Sequence, residues 1–343
     1  MQGSQARDCT RPEWSRGFHG APEPGLPPGD RRVHPPDMAP RVVHSPAYGC
    51  DIGPHVFPTL KYARVRERLV EEGWIAEAAI EEPFPAPREL LELAHTAEYL
   101  DDLEALRWTP RTSSSELPLG EAILEAYRRA AAGTLAAARG ALEHGAAAHL
   151  GGGFHHASAE HAEGFCYLND LAVAIRALQR EARVKRAAVV DLDVHQGNGT
   201  ARIFAADPSV FTLSIHQESN YSVPKARSTL DLGLPDGTGD QEYDRALVPA
   251  LEEIWRFAPE LVLYVAGADP YVDDQLGGLA LTFDGLATRD RRVLEGCAAR
   301  GIPVAVTFGG GYARRLEDTV RIHTQTCRVA LTLAGVRPKS NPG

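Results

Sequence analysis

The fold of this chain is decided by the stretch Ala187-Ala-Val-Val-Asp191-Leu-Asp193-Val-His195-Gln-Gly-Asn198-Gly-Thr200. Its apolar beginning is typical of a buried strand, and polar residues then follow at every second position. Because side chains alternate across a strand, Asp191, Asp193 and His195 are predicted to point to one side just before the glycines end the strand. Buried carboxylates are costly unless a cation or hydrogen-bond donors compensate them, so the pattern predicts a metal site at the end of this strand.

The same strand pattern recurs along the chain and alternates with helical stretches rich in Ala, Leu and Arg. The apolar runs predicted as strands are Ala187–Leu192, Val210–Ile215, Leu261–Ala266 and Pro303–Phe308. Helices are predicted over 121–144, 169–182 and 240–257, and an Asn-Asp pair can cap the second of these. This alternation predicts a single-domain α/β fold with a mainly parallel β-sheet flanked by helices on both faces. In such sheets, ligands bind beyond the carboxyl ends of the strands.

The two ends of the chain differ from this pattern. Residues 1–40 are rich in Pro, Gly and Arg and lack a hydrophobic period, so they are predicted to be a disordered tail. Met38 stands just before the first strand-like run and is a candidate for the true start. A single folded domain is predicted to span residues 41–335, and residues 336–343 are predicted to be a flexible C-terminus.

Composition excludes several classes of function. The chain has 343 residues and a formal net charge of -10, without a long cluster of Lys or Arg, which argues against binding of nucleic acid. Its five cysteines are scattered and form no Cys-x-x-Cys pair, so a reducing, cytoplasmic setting is expected. An uninterrupted apolar run of about 18 residues, which a membrane span needs, does not occur, and no membrane partner is expected.

A third metal ligand is predicted after another strand. The segment Leu261-Val-Leu-Tyr-Val-Ala-Gly-Ala-Asp269 ends in an aspartate just beyond its apolar run. Asp193, His195 and Asp269 together would hold a divalent metal ion and leave a coordination position open for water and substrate. That arrangement is typical of a catalytic rather than a structural site.

Two glycine turns carry the remaining candidate groups. The first, His149-Leu-Gly-Gly-Gly153-Phe-His155-His156, places two adjacent histidines after a turn that permits close approach to a ligand. The second, Thr307-Phe-Gly309-Gly-Gly311-Tyr312, delivers a phenol hydroxyl at the end of a strand. A general base, an electrostatic partner and a donor to an oxyanion are therefore predicted around the metal site.

Taken in order, these motifs and Gly164-Phe-Cys-Tyr-Leu-Asn-Asp170 resemble the histone deacetylase superfamily, which has the arginase/deacetylase-like fold. The form Gln196-Gly-Asn198-Gly-Thr200 is more similar to class IV members and their bacterial relatives than to class I. The resemblance implies zinc-dependent hydrolysis of an N-acyl amide, acetyl or longer, of lysine side chains, which releases a carboxylate and a free amine.

The resemblance also assigns roles to individual residues. His156 matches the general base, His155 its electrostatic partner oriented by Asp191, and Tyr312 the oxyanion donor. The implied zinc ligands, which Fe²⁺ could also use, are Asp193, His195 and Asp269. The implied substrate-binding residues are Gly164, Phe165 and Gly310. A structural potassium ion is implied at Asp191, Asp193, His195 and Ser214.

Asn198 and Gln275 depart from the class I pattern. Asn198 stands where class I members carry an Asp that partners the second histidine, so a less basic His156 and a shifted pH optimum are expected. Gln275 replaces a basic residue used at an inositol phosphate and corepressor interface, so assembly into that kind of complex is not expected.

Other interpretations stay open at this point. A small acylated amine such as an acetylpolyamine is an alternative substrate, and Asp273 and Asp274 would be the acidic residues that indicate it. Deacylation of long chains is a further alternative within the enzymes. A ureohydrolase of the arginase type needs two metals and the order Asp-x-His-x-Asp, whereas the order here is Asp-x-Asp-x-His. A non-catalytic acyl-lysine binding module would have lost a ligand, the base or the tyrosine, and all of these are kept.

Overall fold

The computed structural model describes residues 41–338. The predicted tail, the candidate start at Met38 and the last residues of the predicted C-terminus lie outside this range. The strands of the described part are β1 (Val42–Val43), β2 (Ile80–Glu81), β3 (Ala146–His149), β4 (Ala187–Asp191), β5 (Val210–Gln217), β6 (Leu230–Leu234), β7 (Leu261–Val265) and β8 (Val304–Thr307). Its α-helices are α1 (Leu60–Glu71), α2 (Arg88–Leu91), α3 (Ala97–Glu104), α4 (Pro110–Ser113), α5 (Glu121–His144), α6 (Asp170–Arg180), α7 (Asn198–Phe204), α8 (Asp240–Phe257), α9 (Phe283–Ala298) and α10 (Leu316–Leu333).

All eight strands form one sheet in the order β2-β1-β3-β8-β7-β4-β5-β6, and every pairing is parallel. Alternate residues of the central strands enter two different cores. Val189 and Leu263 pack with residues of α5 and α6, whereas Val190 and Tyr264 pack with residues of α8 and α9. The predicted α/β sheet with helices on both faces is therefore confirmed.

The predicted helices agree closely with the observed ones. Two of them, over 121–144 and 240–257, have the predicted bounds, and the third covers Asp170–Arg180. The side chain of Asn169 caps that third helix by accepting a hydrogen bond of 2.9 Å from the backbone N–H of Ala172. No helix in residues 41–338 is both long enough and apolar enough to cross a membrane.

β1 lies in the strand-like run that follows Met38, and three other strands are not predicted by the sequence pattern. β2 has two residues, which is too short to show an alternation. β3 contains three alanines, which favour helices over strands, and it forms a strand because it is buried and paired with both β1 and β8. β6 lies at the edge of the sheet, where most of its residues are only half-buried.

The sheet order gathers the predicted motifs. β3, β8, β7 and β4 are neighbours, although the chain passes from β3 to β4 long before it forms β7 and β8. Each of these four strands is followed by one of the motif loops. Because parallel strands end at the same edge, all four loops meet over the middle of the sheet.

Candidate metal and acid–base site

Two carboxylates and one imidazole converge beyond β4 and β7. Asp193, His195 and Asp269 each offer a ligand atom, and these atoms lie within 4.8 Å of one another. The Nδ1 atom of His195 is 3.0 Å from Oδ1 of Asp193 and 3.2 Å from Oδ2 of Asp269. All three side chains are buried. The structure thus brings together the three residues predicted as metal ligands.

The charge of this triad lacks full compensation from the surrounding protein. Oδ2 of Asp269 is buried and accepts no hydrogen bond from any residue that the structure describes, since the nearby Nδ1 atom of His195 is bonded to Asp193 instead. Burial and the nearby charge of Asp193 raise the pKa of Asp269 to about 7. A divalent cation would supply the missing positive charge, and oxygen and nitrogen donors suit zinc as well as Fe²⁺. The residues present therefore fit the metal ion that the resemblance implies.

The convergence of Asp193 and His195 has a different cause from the one predicted. β4 ends at Asp191, so the alternation of a strand does not extend to the ligands. Instead, Oδ1 of Asp193 accepts a hydrogen bond of 3.0 Å from the backbone N–H of His195 and folds the segment into a turn. Oδ1 of Asp269 accepts another, of 3.0 Å, from the backbone N–H of Val194. Local turn bonds rather than strand geometry aim these side chains.

The paired histidines occupy different electrostatic environments. Nδ1 of His155 lies 2.7 Å from Oδ2 of Asp191. Burial opposes a charge on His155, but the carboxylates of Asp191 and Asp193 outweigh it and raise the pKa of His155 to about 9. Nδ1 of His156 lies 2.6 Å from the amide oxygen of Asn198. Burial and the neighbouring histidines hold the pKa of His156 well below its usual range, so one ring is charged and the other neutral.

Tyr312 is held in place through its backbone. Its N–H donates a hydrogen bond of 2.6 Å to Oδ2 of Asp274, and its carbonyl accepts one of 2.8 Å from the amide of Gln275. Burial and the carboxylates of Asp269 and Asp193 raise the pKa of the Tyr312 hydroxyl well above its usual range. The hydroxyl therefore stays protonated and can donate to an oxyanion.

Asp273 and Asp274, the predicted acidic residues near Asp269, differ in their surroundings. Asp274 is buried and also accepts hydrogen bonds of 2.8 and 2.9 Å from the backbone N–H groups of Leu276 and Gly277. Asp273 pairs with Arg314 at 3.3 Å. Asp274 therefore holds the turn that carries Tyr312, a role that the sequence pattern did not predict.

Aromatic rings surround the approach to the triad. The ring of Phe165 lies 6.1 Å from that of Tyr312 and 6.0 Å from that of Phe57. On the other side, the ring of Tyr221 meets His156 edge-on at 5.1 Å. The sequence motifs identified Phe165 but missed Phe57 and Tyr221, because single aromatic residues in loops carry no recognisable pattern.

The predicted substrate-binding glycines are sites of close packing. A Cβ atom on Gly164, whose φ is +50°, would lie 2.5 Å from Cδ2 of His156. A Cβ atom on Gly310 would overlap the Oδ2 atom of Asp269. The backbone N–H of Gly310 donates a hydrogen bond of 2.6 Å to Oδ2 of Asp193. The structure thus places Gly164 beside the histidine pair and Gly310 against the metal ligands.

A buried lysine supports the second glycine turn. Lys61 is fully buried and its ammonium group donates a hydrogen bond of 2.7 Å to the carbonyl of Gly309. Burial lowers the pKa of Lys61 to about 8, although the carboxylates of Asp269 and Asp193 favour its charged form. Lys61 lies on α1, distant in sequence from every motif, and no sequence pattern predicted its role.

A buried aspartate supports the first glycine turn. The carboxylate of Asp170, at the start of α6, accepts hydrogen bonds of 2.9 Å from the N–H of Gly153 and 2.7 Å from that of Phe154. It accepts a further hydrogen bond of 2.5 Å from the hydroxyl of Thr134. Asp170 therefore fixes the backbone just before the histidine pair.

Two of the four residues predicted to hold potassium lie on neighbouring strands. Asp191 and Ser214 are directly paired in the register of β4 and β5. The hydroxyl of Ser214 is 3.0 Å from Nδ1 of His216. Potassium binding itself stays a prediction.

The fold and the site together define a class of protein, namely an α/β enzyme with a metal-ligand triad and a histidine pair at the carboxyl edge of its sheet. The family model described as "Histone deacetylase domain" matches residues 55–327. An uncharacterised protein of Picosynechococcus is 42% identical over 292 residues, which make up 84% of this chain and 97% of that protein. Histone deacetylase 2 of Arabidopsis thaliana is 34% identical over 281 residues, which make up 78% of this chain and 73% of that protein.

A solved structure shows the same fold. The crystal structure of acetylpolyamine aminohydrolase from Burkholderia pseudomallei superposes with a TM-score of 0.71 at 24% sequence identity, covering 85% of this chain and 98% of that one. The chain belongs to the histone deacetylase family. It is therefore a hydrolytic enzyme of the deacetylase type.

Proposed function

We propose that this enzyme hydrolyses N-acyl amides of lysine side chains with zinc held by Asp193, His195 and Asp269. The observation that carries the proposal is the buried oxygen of Asp269 that accepts no hydrogen bond from the described residues, beside a neutral His156. A bound metal ion would act as a Lewis acid that polarises the amide carbonyl and makes water a better nucleophile. The other contributions come from the protein's own side chains.

His156 acts as the proton carrier. Its Nδ1 atom faces the oxygen of Asn198 and therefore carries a hydrogen, which leaves the lone pair on Nε2. Nε2 takes the proton from the attacking water and later gives it to the leaving amine. A carbon–oxygen bond forms, the carbon–nitrogen bond of the amide breaks, and the products are a carboxylate and an amine.

Tyr312 and His155 stabilise negative charge during this reaction. The protonated hydroxyl of Tyr312 donates a hydrogen bond to the oxyanion that develops on the carbonyl oxygen. The positive charge of His155, maintained by Asp191, lowers the energy of negative charge nearby. Phe165, Phe57 and Tyr221 would line the passage through which the methylene chain of lysine reaches the site.

The surroundings of Asp269 favour an acyl-lysine over an acetylpolyamine. The similar structure from Burkholderia pseudomallei is named an acetylpolyamine aminohydrolase, so this alternative is a concrete one. A polyamine carries additional ammonium groups, which acidic side chains would recognise. Here Asp274 is buried against the turn of Tyr312 and Asp273 is paired with Arg314. The buried Asp274 therefore does not supply the recognition that a polyamine requires, whereas the half-exposed Asp273 could do so only by leaving its pair with Arg314.

Deacylation of long chains is the alternative within the enzymes. An apolar cavity of about 20 Å³ lies beside Phe57, with Tyr62, Phe154 and Cys50 among its walls, and none of the residues that line it belongs to the metal triad or the histidine pair. The relative turnover of acetyl-lysine, octanoyl-lysine and myristoyl-lysine peptides therefore measures the acyl length that the site accepts.

Two variants of the zinc-loaded enzyme test the proposal on acetyl-lysine, octanoyl-lysine and myristoyl-lysine peptides and on acetylputrescine. Loss of the general base in His156→Ala is expected to lower kcat by about 10²- to 10⁴-fold. Loss of the oxyanion donor in Tyr312→Phe is expected to lower kcat by about 10²- to 10³-fold. His144→Ala, at the end of α5, serves as the control and should retain full activity.

The zinc content of each variant is measured alongside, so that metal loss is not mistaken for loss of a catalytic group. Full activity of both variants would refute the assigned roles. Turnover of acetylputrescine with inactivity on all the peptides would replace the proposed substrate by a polyamine.

We also propose that potassium binds where Asp191 and Ser214 are paired across β4 and β5. The predicted contributors are Asp191, Asp193, His195 and Ser214. An ion there would rigidify the segment that carries the zinc ligands. Thermal stability that is higher in potassium chloride than in choline chloride, with the difference reduced in Ser214→Ala, would support this site.

A further inference from the structure

A second carboxylate stands behind the general base, one hydrogen bond further away. Oε1 of Glu163 accepts a hydrogen bond of 2.5 Å from the amide Nδ2 of Asn198. The amide oxygen of the same asparagine lies 2.6 Å from Nδ1 of His156. Glu163, Asn198 and His156 thus form a continuous chain of two short hydrogen bonds that leads from the protein surface to the reacting atoms.

These two hydrogen bonds determine which end of the Asn198 amide faces His156. An amide has a donor end and an acceptor end of similar shape, and only the acceptor end can receive a hydrogen bond from the Nδ1–H group of His156. A carboxylate only accepts hydrogen bonds, so Glu163 requires the NH₂ end of Asn198 to face it. The amide oxygen must then face His156, and the proton of that imidazole is kept on Nδ1.

Glu163 is itself firmly held. Its Oε1 atom accepts a hydrogen bond of 3.0 Å from the hydroxyl of Tyr221, and Nη1 of Arg202 lies 2.5 Å from Oε2. Nε2 of His161 is 3.2 Å from the same Oε2 atom. The side chain is only 14% exposed. Since the ring of Tyr221 meets His156 edge-on, Glu163 fixes both groups that touch the general base from this side.

We propose that Glu163 is a positioning residue that acts through Asn198 to keep His156 in the tautomer and orientation needed for proton transfer. Glu163 does not touch the substrate. The inference rests on the proposed function, in which His156 is the general base. At the position of Asn198, class I members carry an Asp whose carboxylate partners the histidine. In this enzyme Glu163, in the preceding loop, takes over the task of that carboxylate.

The test exchanges the carboxylate of Glu163 and the amide of Asn198. Gln has the shape of Glu and Asp has the shape of Asn, so the variants change the hydrogen-bonding groups only. In Glu163→Gln both residues of the pair are amides, so Asn198 can turn over, and kcat is expected to fall about tenfold with little change in KM. In Asn198→Asp two carboxylates face each other, and a loss of similar size is expected.

The double variant, which combines Glu163→Gln with Asn198→Asp, restores one amide and one carboxylate in exchanged positions. The introduced amide donates through its NH₂ end to the introduced carboxylate, and that carboxylate accepts directly from Nδ1–H of His156. The double variant is therefore expected to recover kcat to within about threefold of the wild type.

The matched control is Glu160→Gln, a glutamate of the same loop that lies on the protein surface, which should leave kcat and KM unchanged. A packing role of Glu163 would predict harmless single variants or additive losses. Wild-type kcat in Glu163→Gln, or a double variant no better than the worse single one, would overturn the inference.

A second readout is independent of turnover. Nitrogen NMR of the histidine-labelled, zinc-loaded protein should show His156 as the Nδ1–H tautomer in the wild type and in the double variant, and a mixture in Glu163→Gln. An unchanged tautomer in Glu163→Gln would contradict the positioning role. If the wild type hydrolyses no acyl-lysine but the tautomer responds as expected, the proposed function fails and the positioning by Glu163 stands.

Discussion

At the scale of single residues, close packing restricts which residue the site accepts at position 310. Gly310 lies against two of the proposed metal ligands, donating to Asp193 and leaving no room for a side chain beside Asp269. The close approach lets the backbone N–H of Gly310 bond Oδ2 of Asp193, whose other oxygen accepts from the backbone N–H of His195. Glycine is therefore required here by contact rather than by an unusual backbone conformation.

Gly310→Ala is expected to displace the carboxylate of Asp269 and to lower zinc affinity at least tenfold, since one misplaced ligand weakens a site that depends on its geometry. Zinc titration followed by calorimetry measures the effect. Gly49→Ala is the control, because the space around that exposed glycine is open, and its zinc affinity should equal that of the wild type. Equal affinity in both variants would show that the metal does not bind beside Gly310.

The candidate residues could be predicted from the sequence where several of them lie close together along the chain. His155 and His156 share one turn, and Asp193 and His195 share another, so local spacing alone pointed to them. Glu163 and Lys61 were missed because each is a single charged residue within an ordinary loop or helix. Their importance arises from partners distant in sequence, such as Gly309 for Lys61.

At the scale of elements, α9 supports the segments after β4 and β7 that carry the proposed metal ligands. Arg289 is fully buried and donates hydrogen bonds of 3.2 Å to the carbonyl of Leu192 and 2.6 Å to that of Gly267. Its charge is balanced by Asp290 at 2.8 Å. Oδ1 of Asp290 accepts a further hydrogen bond of 2.5 Å from the hydroxyl of Tyr264. A single residue of α9 thus bonds both the segment after β4 and the segment after β7.

Arg289→Met is expected to lower the free energy of unfolding by about 3–5 kcal/mol, because it leaves the charge of Asp290 buried and unpaired. Zinc affinity should fall as well, since the Leu192 and Gly267 carbonyls lose their donor. Urea unfolding of the zinc-free protein and zinc titration measure the two effects separately.

The control for this variant lies on the exposed side of the same helix. Arg292→Met breaks only a surface pair with Asp244 and should cost less than about 1 kcal/mol. Similar losses in the two variants would contradict the special role of the buried arginine.

The elements themselves were predictable where their patterns are long. α5 and α8 have many apolar residues at helical spacing, and their predicted bounds are confirmed. β3 was not predicted, because its alanines carry no preference for strands and only its buried position in the sheet selects that conformation.

At the scale of the whole molecule, several histidines outside the triad and the histidine pair are buried without charge. Burial lowers the pKa of His44 to about 4 and that of His95 to about 4. Burial likewise lowers the pKa of His149 to about 3. Because these values lie below that of an unfolded histidine, the unfolded chain binds protons first as the pH falls below about 6.5. Each such histidine therefore makes the fold less stable as the pH decreases from about 6.5 to 4.

Unfolding in urea at several pH values is expected to show this loss. Each buried histidine contributes a slope of about 1.4 kcal/mol per pH unit once the pH is below the unfolded pKa. Replacing one of them, in His95→Gln, should reduce the total slope between about pH 6 and 5 by that amount, whatever the variant does to stability at neutral pH. The measurements include a chelator, so that release of metal does not contribute to the slope. An identical slope in the variant would show that His95 is protonated in the folded state.

The sequence by itself determined the α/β class, the main strands and helices, and the residues of the metal triad and the histidine pair. These are local properties, since hydrophobic period, turn glycines and close spacing act over a few residues. Only the tertiary structure decided which residues support them. The order β3-β8-β7-β4 brings together loops that are distant in sequence, and it makes neighbours of Lys61 and Gly309, of Arg289 and Leu192, and of Glu163 and Asn198. Such contacts depend on how whole elements pack, which no stretch of sequence specifies by itself.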